Sequence, residues 1–155
     1  MKKIILLLSF ILICTINLYS QEGKSQENDK YIETIGTMSS SGLYLTYLSI
    51  SVIKQNIDLD EKLEYFKDYD KVIGSVISTI DMNVTGLAKL KKSGVLNETD
   101  IQFIGNLNDV FLMLKKDATL LSVYLNSQKE DDYKSFSDYH DTLYNTISQF
   151  FNNEK

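Results

Sequence analysis

The sequence predicts an all-α protein, an elongated antiparallel four-helix bundle with up-down-up-down topology. Proline is absent, so no residue of the chain has to break a helix. From position 31 onward, apolar residues recur at intervals of three and four, as they do along one face of a helix. The few turn signals divide the chain into four segments with short connections, which makes neighbouring helices antiparallel.

Residues 1–20 have the layout of a secretory signal peptide. Lys2 and Lys3 precede an apolar run over residues 4–16, and the small residue Ser20 ends the segment. The run is shorter than the ~20 residues that cross a bilayer as a helix. We therefore expect an exported protein, periplasmic or extracellular, whose mature chain has no membrane span.

The single cysteine, Cys14, lies inside this segment. A bacterial lipoprotein is cut just before a lipidated cysteine and needs a small residue at that point, whereas Ile13 precedes Cys14. This argues against a lipid anchor. A mature chain without Cys14 would contain no disulfide, so its stability would depend on packing alone.

The charge composition argues against two classes of binding partner. All sixteen basic residues are lysines, and 21 acidic residues give a net charge of −5, or −7 once Lys2 and Lys3 are removed. An acidic surface without arginine argues against nucleic acid as a partner, because neutralisation of phosphates dominates that affinity. It also argues against anionic membranes as the main partner.

The polar residues 21–30 lack periodicity and predict a flexible arm ahead of a single domain at 31–152. The first helix is predicted at about 29–56. Residues 44–53 are rich in β-branched and aromatic residues that suit a strand, but no partner strand is evident in the rest of the sequence. The small residues at 38–42 predict a kink or a late start of this helix.

The second helix is predicted to begin near Asp58, because Asp58 and Glu61 have the spacing of a capping box. Its predicted end combines a lysine-rich last turn at 89–92 with Gly94, since cations and then glycine favour helix C-termini.

The third helix is predicted to follow Asn97 as its N-cap. Its apolar residues keep a strict heptad spacing over 104–125, the clearest such pattern in the chain. The fourth helix is predicted to begin at Ser127, which has Glu130 three residues later as in a capping box.

His140, the only histidine, lies on the inward seam of the fourth helix between Phe136 and Leu143. A titratable group there suits a ligand, a base or a pH sensor, and the plainer interpretation is a core histidine hydrogen-bonded across the bundle. Di-iron bundles place a glutamate three residues before the histidine, where this chain has Ser137. We therefore predict no metal site and no cofactor.

Small residues form a line on each of the first two helices. The line on the first helix consists of Ser39, Gly42, Thr46 and Ser49. The line on the second consists of Gly74, Ser78, Asp81 and Thr85. The favoured interpretation is that the two lines face each other and allow close packing of the helices. Asp81 is expected to reach solvent at the helix edge.

The alternative is that the small residues leave space for a ligand between the helices. The candidate ligand-binding residues would then be His140, Asp81, Ser39, Gly42 and Thr46.

The motifs of common enzyme classes are absent. The sequence has no G-x-S-x-G, no phosphate-binding glycine loop and no H-E-x-x-H, so we predict no catalytic residues and no enzyme. Ten tyrosines, a residue type favoured at interfaces, suit protein contacts. The first hypothesis is thus an exported, non-enzymatic bundle that binds a protein or an envelope component, or self-associates. The alternative is a small-ligand-binding or sensor-type bundle.

Overall fold

The computed structural model describes residues 25–59 and 66–152 as four α-helices and the two connections that follow the second and third. The helices are α1 (Ser25–Leu59), α2 (Phe66–Lys91), α3 (Glu98–Ser127) and α4 (Glu130–Asn152). No strand occurs in these ranges, which confirms the predicted all-α class. The 35 residues of α1 make a rod of ~50 Å, so the bundle is elongated.

Helix α3 is the packing centre of the bundle. It makes the most extensive contacts with α2 and α4, and a smaller set with α1. Gly36 of α1 lies against Phe103 near the start of α3. Ser51, which follows Gly36 by fifteen residues in α1, contacts His140, which in turn binds Asp117 further along α3. Helices α1 and α3 therefore run in the same direction, as up-down-up-down topology requires.

The core follows the apolar seams. The heptad predicted for α3 is confirmed, because every one of its positions is buried: Ile104, Leu107, Phe111, Leu114, Ala118, Leu121 and Leu125. Phe136, Leu143 and Ile147 of α4 are buried against it. Burial of one such large apolar side chain stabilises the fold by ~1.5–3 kcal/mol.

Helix α1 is unbroken from Ser25 to Leu59, so the late start expected at 38–42 is wrong. Residues 25–30, expected in a flexible arm, are also helical, because the Gln, Glu and Lys among them are good helix formers. The predicted signal peptide and residues 21–24 of the predicted arm lie outside the described residues. Ser and Thr fit inside α1 because their hydroxyls donate to carbonyls one turn earlier, for example Thr46 to Gly42 at 2.7 Å.

The predicted N-terminus of the second helix is wrong. Asp58 belongs to the last turn of α1, where it accepts hydrogen bonds from Lys54, at 3.3 Å, and from the hydroxyl of Tyr133, and α2 begins at Phe66. The predicted C-terminus is confirmed: α2 ends at Lys91, and Gly94 has a φ of +77°, a conformation that glycine adopts without steric cost.

The N-cap of α3 is confirmed, because the side chain of Asn97 accepts the backbone N–H of Asp100 at 2.9 Å. The start of α4 is three residues later than predicted. Ser127 ends α3, and Gln128 then takes a left-handed φ of 56°, which reverses the chain within two residues. The Ser127 hydroxyl accepts the N–H of Lys129 instead of acting as a standard cap.

Candidate functional site

His140 joins three helices inside the bundle. Its side chain lies on the predicted inward seam and is 3% exposed. The Nδ1 atom lies 2.8 Å from Oδ2 of Asp117 on α3, and Nε2 lies 3.0 Å from Oγ of Ser51 on α1. Ser51, His140 and Asp117 are called the polar cluster below.

Aromatic rings enclose the polar cluster. The ring of Tyr47 stacks on the His140 imidazole, with centroids 4.7 Å apart and planes within 9°. The ring of Phe136, one turn before His140, is tilted relative to the imidazole, and the two ring centroids are 5.5 Å apart. Tyr144 lies at the outer edge of this aromatic group, and its ring centroid is 6.1 Å from that of Tyr47. These rings shield the imidazole from water, so charges in the cluster are poorly solvated.

Asp117 is completely buried. Its Oδ1 atom has no hydrogen-bond partner among the described residues. Burial raises the pKa of Asp117, and this effect outweighs the hydrogen bond and charge of His140, which act to lower that pKa. The carboxyl group therefore holds its proton more tightly than a solvent-exposed aspartate does.

The hydrogen bonds of Ser51 indicate which His140 nitrogen carries a proton. Ser51 Oγ lies 3.0 Å from the carbonyl of Tyr47, and only the hydroxyl can donate in that bond. The same oxygen then accepts a hydrogen bond from the Nε2–H of His140. Nδ1 faces Asp117 either as a donor to a carboxylate or as an acceptor from a neutral carboxyl group.

Both states place one proton between His140 and Asp117 and leave the pair electrically neutral. Loss of that proton would leave a buried carboxylate facing a lone pair of Nδ1, with Oδ1 of Asp117 also without a donor. Burial of such an uncompensated charge is strongly unfavourable. The site therefore disfavours any state that leaves Asp117 as an uncompensated carboxylate.

The order Asp, His, Ser is also that of a hydrolase triad. In a triad the histidine Nε2 accepts the serine proton, and nearby N–H groups stabilise an oxyanion. Here the Ser51 hydroxyl donates to Tyr47, and Ser51 sits in the middle of α1, where backbone N–H groups are used within the helix. The geometry favours a connector between helices over a nucleophile.

Asp81 does not share a site with His140. Its carboxylate binds Lys115 Nζ of α3 at 2.6 Å, and both side chains are partly exposed. Residues 115 and 117 of α3 are ~200° apart around the helix axis, so Asp81 and His140 lie on different sides of α3. Asp81 thus reaches solvent, as predicted, while also forming an ion pair.

The small-residue lines do not pack closely. Gly74, Ser78 and Thr85 of α2 are exposed, and a Cβ atom on Gly42 or on Gly74 would meet no atom within 4 Å. The predicted close packing of the two lines is therefore wrong. Among the remaining candidate ligand residues, Ser39 and Gly42 are partly buried and Thr46 is buried.

Sequence reasoning missed the real close approach, which is at Gly36. A Cβ atom there would lie 2.9 Å from Cε1 of Phe103. It also missed Ser51 and Asp117, the two partners of His140. The available signal for Asp117 was its position next to Ala118 in the α3 seam, where an acidic residue needs a partner.

A second feature is the outer surface of α1. Residues 34–53 contain no charged side chain, whereas α3 and α4 contain six each. Three aliphatic side chains are exposed along this stretch: Leu45 at 42%, Leu48 at 38% and Val52 at 53%. Their spacing of three and four residues places them on one line. This line, with Ser41 before it, is called the α1 face below.

A shallow, open groove of about 460 Å³ lies on the outside between α2 and α3. Its walls are Ile77, Thr119, Ser122, Val123, Asn126 and Ser127. Ser122 and Asn126 both bind Asp70, at 2.8 and 3.0 Å. The groove is separate from the polar cluster.

Within the described ranges, no three His, Cys, Asp or Glu side chains come together as metal ligands. None of the four described helices is long and apolar enough to cross a membrane. Comparison with known protein families, characterised proteins and solved structures finds no match to this chain.

Proposed function

We propose that this chain is an exported, non-enzymatic docking protein that binds another protein through the α1 face. The observation that carries the proposal is the line of Leu45, Leu48 and Val52, exposed within twenty residues that lack charge. A surface helix of an acidic protein normally turns charged side chains to water. Here that face is apolar and hydroxyl-rich.

The chemistry of the α1 face fits a protein contact. The centres of protein interfaces are depleted of charge and enriched in aromatic residues. Tyr44, beside Leu45, and Tyr144 of α4 are about half exposed at its margin. Burial of apolar side chains in a contact stabilises that contact by ~25 cal/mol for each Å² of apolar surface removed from water.

Two hydroxyl groups beside the α1 face are already hydrogen-bonded within α1. Ser49 donates to the carbonyl of Leu45 at 2.9 Å, and Thr46 donates to that of Gly42 at 2.7 Å. A partner therefore does not have to supply hydrogen bonds to these two hydroxyl groups, and we expect apolar packing to be the main source of affinity. The twenty uncharged residues span ~30 Å, a length suited to a helix of the partner lying along α1.

The position of the polar cluster supports a second candidate, a sensor-type bundle. Ser51 precedes Val52, and Tyr47 precedes Leu48, so the cluster lies next to the α1 face. Gain or loss of the proton between His140 and Asp117 would change how Ser51 and Tyr47 pack next to the α1 face. The input to such a sensor would be pH.

The test compares two leucine variants of the tagged protein produced in the source cell. Leu48→Glu places a carboxylate on the α1 face, and Leu112→Glu does the same at a leucine of α3 that is 45% exposed. Proteins retained in stoichiometric amount are identified by mass spectrometry, purified and titrated against each form. We expect Leu48→Glu to weaken binding at least tenfold and Leu112→Glu to leave it unchanged.

Equal binding by wild type and both variants would exclude the α1 face as the docking surface. Circular dichroism of each variant establishes that it remains helical. The hydrolase alternative is tested with a fluorophosphonate probe, which should leave Ser51 unlabelled.

A further inference from the structure

We infer that the partner on the α1 face is a second copy of this chain, packed antiparallel against α1. The inference rests on the proposed docking function and names its partner. Its basis is the symmetry of the exposed side chains and the distribution of charge over the bundle.

The α1 face is complementary to itself. A two-fold axis perpendicular to α1 between residues 48 and 49 pairs position 45 with position 52 of the second copy. Leu45 then faces Val52 of the other chain twice, and the two Leu48 side chains meet beside the axis. A contact of this isologous kind closes after two copies.

The residues that are paired at the two ends of this contact would be polar and uncharged. The same axis pairs Ser41 with Asn56 of the second copy, and both residues are exposed. The charged residues that flank the uncharged stretch are Glu33, which lies before Ser41, and Lys54, which lies between Val52 and Asn56. Lys54 is engaged by Asp58 at 3.3 Å.

Charge favours this face for self-contact, because residues 34–53 are the longest uncharged stretch in the described helices. The chain has a net charge of −5, so two copies repel each other wherever their carboxylates meet. Helix α4 exposes Asp131, Asp138 and Asp141. Residues 34–53 of α1 bring no carboxylate to the contact, so two copies can approach there without charge repulsion.

A charged partner would gain nothing from the α1 face. Electrostatic attraction speeds association and selects partners only where opposite charges face each other. The α1 face lacks charge of either sign, so it fits a surface that is equally uncharged. This chain itself presents such a surface.

The experiment is sedimentation equilibrium of the purified protein over about 1–200 μM, together with native mass spectrometry. We expect a dimer for wild type and at least a tenfold weaker dimer for Leu48→Glu and for the milder Val52→Gln. The control variants Leu112→Glu and Val123→Gln, at exposed residues of α3, should dimerise like wild type. Circular dichroism verifies the helicity of every variant.

A cysteine variant tests the geometry. With Cys14 changed to Ser, Leu48→Cys should form a disulfide-linked dimer under mild oxidation, because the axis passes beside residue 48. Leu112→Cys in the same background should remain monomeric on denaturing gels. Equal cross-linking of both variants would contradict the proposed axis.

Two results would overturn the inference: a monomer at all concentrations, or a dimer that neither Leu48→Glu nor Val52→Gln weakens. If wild type is monomeric but binds a different purified protein in a Leu48-dependent manner, the docking function stands and the second copy is excluded. If a monomer also shows no Leu48-dependent binding, both proposals fail.

Discussion

The imidazole of His140 and the carboxyl group of Asp117 lie 2.8 Å apart at a point where neither side chain has appreciable contact with solvent. Two ionisable groups in such a place are costly unless each compensates the other. The consequences for stability can be measured directly.

The first prediction concerns pH and Asp117→Asn. Burial raises the pKa of Asp117 above its ordinary value of 3.8. The folded state thus binds this proton more tightly than the unfolded state does. The resulting stabilisation is complete below pH 3.8 and is lost as pH rises through the raised pKa of the folded state.

Asparagine does not titrate, and its amide can donate to Nδ1 of His140. Asp117→Asn should therefore become more stable relative to wild type as pH rises from about 4 towards neutrality. Urea unfolding at pH 4, 5, 6 and 7 measures this difference, with Asp138→Asn at an exposed position as control. Parallel pH profiles for wild type and Asp117→Asn would contradict the prediction.

The second prediction concerns the pair as a unit. His140→Leu leaves Asp117 buried without its partner, and removal of one member of a buried pair costs ~3–5 kcal/mol. In the double variant with Asp117→Leu, no polar group remains unpaired at that point. Chemical denaturation should therefore show the double variant to be more stable than His140→Leu, whereas additive losses would mean that the two residues act independently.

The third prediction uses two leucines of α3 that are two residues apart. Leu114 has no exposed surface, whereas Leu112 is about half exposed. Leu114→Ala should lower the free energy of unfolding by ~2–5 kcal/mol, because it removes buried methyl groups and leaves a cavity. Leu112→Ala should change it by less than ~0.5 kcal/mol. Similar losses at the two positions would place the core elsewhere.

The fourth prediction contrasts two glycines of α1. Alanine is favoured over glycine inside a helix by ~1 kcal/mol, and a Cβ atom at residue 42 meets no atom within 4 Å. Gly42→Ala should therefore stabilise the protein. At Gly36 the new Cβ would displace the ring of Phe103, which stacks on Phe150 with centroids 6.0 Å apart.

Thermal melting should accordingly place Gly36→Ala below Gly42→Ala. A higher melting temperature for Gly36→Ala would mean that the Phe103 ring moves aside without loss of packing.

The heptad of α3 was predictable because burial repeats with the helical period, and local residues set the N-cap at Asn97. The boundary between α1 and α2 was not predictable in this way, because the Asp58–Glu61 spacing resembles a capping box although Asp58 lies inside the last turn of α1. The hydrogen-bond partners of His140 depend on how three helices are positioned relative to one another along the bundle axis. The sequence of one helix does not determine these relative positions, so Ser51 and Asp117 could not be assigned as the partners of His140 from sequence.

The smaller contact that α1 makes with the remaining helices has a consequence for local opening. Regions with fewer buried contacts exchange their amide hydrogens through partial unfolding at lower free energy. Backbone amides of α1 should therefore exchange with deuterium sooner than those around Leu114 in α3. Such an opening would separate Ser51 from His140 while the other three helices remain assembled.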